Sequence, residues 1–170
     1  KNQTRISQLL VDNLGESSAV LDTREKAARA IARFAKAHAT NQDSLSNAGA
    51  VALTVSLLEP KVWEMPVASK MPSKTAELVA EDAEDGEEQH EDTEATPTGE
   101  HHLTQRELSS ALWSLAAENA SIQTQISAEG GIPLLIAMLS DHAEIHREAA
   151  GALWSLSADA ENRKLIAEAG

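Results

Sequence analysis

No cysteine and no tyrosine occur in this 170-residue chain, which holds one phenylalanine and three tryptophans. Without cysteine there is no disulfide framework, no thiolate zinc or iron–sulfur site and no cysteine nucleophile. No apolar run approaches the roughly 20 residues of a membrane-spanning helix. Basic residues are scarce too: 14 Lys and Arg stand against 27 Asp and Glu, a formal net charge of −13. Phosphate neutralisation needs a basic surface, so nucleic acid is a disfavoured partner for the chain as a whole. The chain opens on Lys1 with no initiator methionine, signal peptide or transit segment, and it closes on Gly170, so it reads as a fragment.

The acid surplus is concentrated. Residues 59–101 hold 13 acids and three bases (Lys61, Lys70 and Lys74), whereas the rest of the chain holds 14 acids and 11 bases. Residues 81–94 carry nine acids in fourteen positions with no aromatic or branched aliphatic residue. Such a stretch cannot bury enough apolar surface to offset its ordering entropy, which predicts a disordered acidic insertion over 59–101. The ordered chain is then 1–58 and 102–170.

Self-similarity organises that remainder. Ala27–Ala35, Leu108–Ala116 and Ala149–Ser157 read alike, and the last two share Ala-Leu-Trp-Ser-Leu 41 residues apart. A polar turn, a short helical run and Gly follow each, at Gly49, Gly130 and Gly170. After Gly49 and Gly130 comes a second apolar run, Val51–Leu58 and Ile132–Leu139. The glycines sit where a helix must turn sharply, and Pro133 opens the next helix, where its missing N–H does no harm. On the longest helix of the last unit Ala149, Ala150, Leu153, Leu156 and Ser157 share one face. A lone unit cannot bury such a face, so neighbouring units must stack into a solenoid.

The run Gly130-Gly-Ile-Pro-Leu-Leu-Ile-Ala-Met-Leu-Ser140, with Glu148–Ser157 and Asn162–Gly170, resembles an armadillo repeat. The resemblance is strong over 107–170 and weaker over 1–58. It implies an all-α, right-handed superhelical solenoid of three-helix repeats whose third helices line a concave groove. Helices are expected near 7–14, 23–37, 41–48, 50–58, 103–117, 121–128, 131–139, 144–158 and 162–169. Residues 1–58 supply a partial first repeat and the start of a second. Residues 102–170 supply its end, a third repeat and the start of a fourth. Fifty positions separate Leu58 from Leu108 where ten separate Leu139 from Ala149, so the insertion interrupts the second repeat between its second and third helices. Loop-closure entropy grows only logarithmically with length, so the solenoid tolerates it.

Family members that clamp extended peptides carry a third helix like Ala-Ala-Trp-Ala-Leu-x-Asn-Leu, whose Trp and Asn touch the ligand. Here the Trp position is Arg29, Ser110 and Gly151, and the Asn position is Arg33, Ser114 and Ser155. The nuclear-import type of groove is therefore not expected. Trp113 and Trp154, one position after the core Leu, are either ligand platforms or packing between successive third helices. Trp63 has no repeat partner. Lys26, Arg29, Arg33 and Lys36 form one helical stripe suited to carboxylates, or else an ordinary solvated face. The tethered acidic residues 81–94 are a candidate intramolecular ligand for that stripe, or a loop that adds solubility. His142 with His146, and His101 with His102, fall short of the three ligands and second shell that a metal needs.

The functional expectation is a non-catalytic scaffold binding protein segments along the groove, in the cytoplasm or nucleus, with no cofactor and no small-molecule substrate. The alternatives are an anchoring segment of a longer array, with membrane contact only through regions outside this sequence, or the recognition part of a ubiquitin ligase.

Overall fold

A computed structural model describes residues 2–16, 21–36, 38–59, 97–140 and 143–170; at Leu21 and over 97–100 it describes the backbone alone. The expected insertion therefore lies mostly outside the described residues, as do Trp63, residues 81–94 and His142. The described residues form α1 (Asn2–Gly15), α2 (Leu21–Ala35), α3 (Ala39–Asn47), α4 (Ala50–Leu58), α5 (Pro97–Ala116), α6 (Ala120–Ala128), α7 (Gly131–Met138), α8 (Ala143–Leu156) and α9 (Ala160–Ala169). The architecture is all-α, an armadillo-type solenoid. α5 begins at Pro97, so its first turn falls inside the segment assigned from sequence to the insertion.

Each helix type has its own reason to form. α4 and α7 are short and apolar on most faces, because each is enclosed by neighbours in its own repeat and the next; Val51, Val55, Leu58, Ile132 and Leu135 are buried. They start at Gly49 and Gly130, whose φ values of 90° and 79° let the chain reverse within two residues of the preceding helix. α2, α5 and α8 are longer and lie side by side, and α2 on α5 and α5 on α8 are the most extensive interhelix contacts. Ile31, Leu112 and Leu153 occupy equivalent core positions in them, joined by Leu108, Leu115, Ala149 and Leu156.

The buried face of α8 differs in part from the sequence reading. Ala152 is fully buried whereas Ala150 is exposed. Its equivalents one and two repeats back, Ser109 and Ala28, are fully buried. The difference is the neighbour: α5 covers Ala28's helix and α8 covers Ser109's, but among the described residues no third helix follows α8.

Side-chain amides close the ends of the third helices. The final carbonyls of a helix have no partner within it. Asn41 Nδ2 donates to Phe34 O at 2.8 Å, Gln123 Nε2 to Ala116 O at 2.9 Å and Asn162 Nδ2 to Leu156 O at 3.2 Å. Each thus ties a first helix to the third helix before it. Gln42 Nε2 also donates to Ser114 O and Ala117 O, both at 3.0 Å, which fastens α3 to the end of α5 across the insertion. Both bonds are part-buried, and Gln42→Ala removes them together from the joint between α3 and α5. The variant is expected to lose about 1–3 kcal/mol of unfolding free energy in urea titrations, with Thr40→Ala on the same helix as an unchanged control.

Candidate functional site

Third helices set side by side leave a concave face, and between α2, α5 and α8 it deepens into a cavity of about 490 Å³. α2 contributes Arg29 and Arg33, with Lys36 just past its end; α5 contributes Glu107, Ser110, Trp113 and Ser114; α8 contributes Arg147 and Glu148. Six residues singled out from sequence (Arg29, Arg33, Lys36, Ser110, Trp113 and Ser114) therefore share one cavity.

The four-cation stripe does not act as a unit. Arg29 is already compensated: its Nη2 donates to Glu25 one turn back on α2, and to Glu107 Oε1 on α5 at 3.2 Å. The same Glu107 oxygen accepts Arg106 Nη2 at 2.9 Å, with the carboxylate side chain only 10% exposed. Hydrogen bonding to Glu107 raises the pKa of Arg29 above its ordinary value, with coulombic attraction adding to it; Arg106 is raised chiefly by its own hydrogen bond to Glu107. Arg29 is thus half of an interhelix ion pair rather than a free arm. Lys26 is paired with Asp22 at 2.6 Å and lines a shallow depression with Leu10 and Phe34, outside the cavity. Arg33 and Lys36 are exposed in the cavity with no hydrogen-bonding or ionic partner among the described residues, and Arg147 stands likewise on α8.

The aromatic positions separate as well. A Cβ placed on Gly151 would lie 2.6 Å from Trp113 Cδ2, so the indole of α5 rests directly on the α8 backbone. Gly151 is the seat of that ring rather than a ligand contact. Trp113 both packs between third helices and lines the cavity. Trp154, its equivalent on α8, is 74% exposed and does not line the cavity, because no third helix described here follows α8. Ser155, placed on the groove from sequence, is 6% exposed and does not line the cavity.

Sequence reasoning passed over Glu107, Arg147 and Glu148. Their signal was present, since Arg106-Glu107 recurs as Arg147-Glu148 at the 41-residue period. Among the described residues no group of three His, Asp or Glu is placed to hold a metal ion, and no helix is long and apolar enough to cross a membrane.

Residues 119–158 match the family model of the Armadillo/beta-catenin-like repeat. No curated protein matches the chain in sequence. Solved structures do match in fold. One, described as an engineered protein, shares 24% identity and a TM-score of 0.67 over 97% of this chain and 51% of its own. A designed armadillo repeat protein in complex with the peptide (KR)4 shares 21% identity and a TM-score of 0.65 over 96% of this chain and 52% of its own. A computationally designed armadillo repeat protein for modular peptide recognition shares 20% identity and a TM-score of 0.64, over 96% and 52%. The chain spans about half the length of these three structures. Residues 119–158 are thus an armadillo repeat, and the described chain has the armadillo fold.

The Trp113–Gly151 contact leaves no space for a side chain. Gly151→Val forces the indole off α8 and is expected to cost about 1–3 kcal/mol through overpacking. In a Trp63→Phe/Trp154→Phe background, it should shift Trp113 emission to longer wavelength in the folded state.

Proposed function

We propose that this chain is a non-catalytic interaction module, acting in the cytoplasm or nucleus, whose concave face receives an acidic segment of a protein partner. One observation supports the reading above the others: Arg33, Lys36 and Arg147 reach a groove cavity without a described counter-charge, beside the apolar face of Trp113. Guanidinium suits this role, because its planar fork donates two parallel hydrogen bonds to a carboxylate. Ser110 and Ser114, where peptide-clamping relatives carry Trp and Asn, offer hydroxyls of shorter reach. Recognition then falls on charge more than on backbone clamping, and it weakens with salt. Designed relatives described as peptide binders make the same face a reasonable place for a ligand.

The same charge logic makes residues 81–94 a competing ligand within the chain, since a tether supplies an effective concentration near millimolar. A deletion of 66–94 spares α5, which begins at Pro97.

Binding of a hexaglutamate peptide, followed by fluorescence anisotropy, tests both statements. Arg33→Glu/Lys36→Glu is expected to weaken binding about tenfold or more at about 0.05 M salt, with the difference shrinking near 0.5 M. Equal affinity in the double variant removes the groove cations from the account. Deleting 66–94 is expected to tighten binding about three- to tenfold at low salt; unchanged affinity and salt dependence would mean that the acidic segment does not compete.

A further inference from the structure

The cations of the cavity are balanced for a ligand of more than one negative charge. Arg29, Arg33, Lys36 and Arg147 face Glu107 and Glu148 across it, a formal charge of +2. Arg29 and Glu107 cancel through their 3.2 Å pair. Three cations and one carboxylate then remain, and they stand on opposite walls: Arg33 on α2 with Lys36 just past its end, Arg147 and Glu148 on α8. Between them α5 presents the hydroxyls of Ser110 and Ser114 and the half-buried Trp113.

A carboxylate carries one charge on two oxygens in a plane and cannot neutralise both walls. A phosphate monoester carries about −1.5 to −2 at neutral pH on three strong acceptor oxygens arranged around phosphorus. It can be approached from two sides by Arg and Lys, and from below by hydroxyl donors. The enclosing helices also suit a side chain reaching in from an extended segment rather than a flat lipid surface.

The geometry points to this cavity as a phosphate-accepting subsite, so that the segment bound in the groove carries a phosphorylated serine or threonine. This inference rests on the groove reading above and specifies the chemistry of its central contact. Phosphorylation of the partner then acts as the switch for binding. Arg33, Lys36 and Arg147 are the residues that sense it, and Glu148 sets the cavity's charge against over-attraction of any single acid.

Three peptides test it on the intact chain, identical but for a central phosphoserine, glutamate or serine among acidic neighbours. The phosphoserine peptide is expected to bind about tenfold tighter than the glutamate one. Lys36→Gln/Arg147→Gln, at two exposed positions, is expected to weaken both acidic peptides and to erase that advantage, bringing their affinities within about threefold of each other. Equal binding of phosphoserine and glutamate peptides overturns the subsite, as does an advantage that survives the double variant. If the glutamate peptide still binds and still needs Arg33, the groove reading stands and only the phosphate inference falls; if no acidic peptide binds, both fall. Vesicles containing phosphoinositide are the remaining arm. Capture by these vesicles that is lost in the double variant, without phosphopeptide binding, overturns the peptide assignment in favour of a membrane.

Discussion

Each third helix of this solenoid buries its face only by lying against the next, and the rest of the structure follows from that dependence. Ala28 and Ser109 are sealed because α5 and α8 lie over them, whereas Ala150 at the same position on α8 is exposed. Trp113 finds its seat on Gly151 by the same logic, and Trp154, without a described successor, stands in solvent. Burial here is a property of the pair of repeats, not of the single repeat.

The stacking also decides which charges are free. Bringing α5 against α2 places Glu107 between Arg29 and Arg106, two cations that would otherwise repel. That pairing occupies Arg29 and leaves Arg33, further along α2, and Lys36, just past its end, to face the groove. At the C-terminal ends of the third helices the same stacking brings Asn41, Gln42, Gln123 and Asn162 to the open carbonyls. Amides thus hold the repeats together at the helix ends, and unpaired cations remain in the groove. The net charge of −13 says little about this surface, since most of the acid surplus lies over 59–101.

Much of the architecture was legible from period and punctuation. α4 runs over Ala50–Leu58 as its glycine and apolar run imply, and the positive φ at Gly49 and Gly130 is what the turn reading requires. Equivalence between repeats was legible too, because Ala-Leu-Trp-Ser-Leu recurs at a fixed interval. What was not legible is the rotation of one helix against the next. The 41-residue period shows that Gly151 and Ser110 are equivalent, but not that an indole 38 residues earlier fills the space above Gly151. Likewise Arg29 and Glu107 are 78 residues apart with an insertion between them, so no local spacing rule pairs them. Ser155, a groove position by alignment, is buried in the structure.

The central claim is that an acidic segment binds between α2, α5 and α8 through charges the fold leaves unpaired. Amide and indole chemical-shift mapping with a hexaglutamate peptide tests it most directly. The account predicts shifts clustered at Arg33, Lys36, Ser110, Ser114, Arg147 and the Trp113 indole N–H, with α4 and α7 silent. Shifts spread over the convex helices, or an equal response to the basic peptide (KR)4, would contradict it.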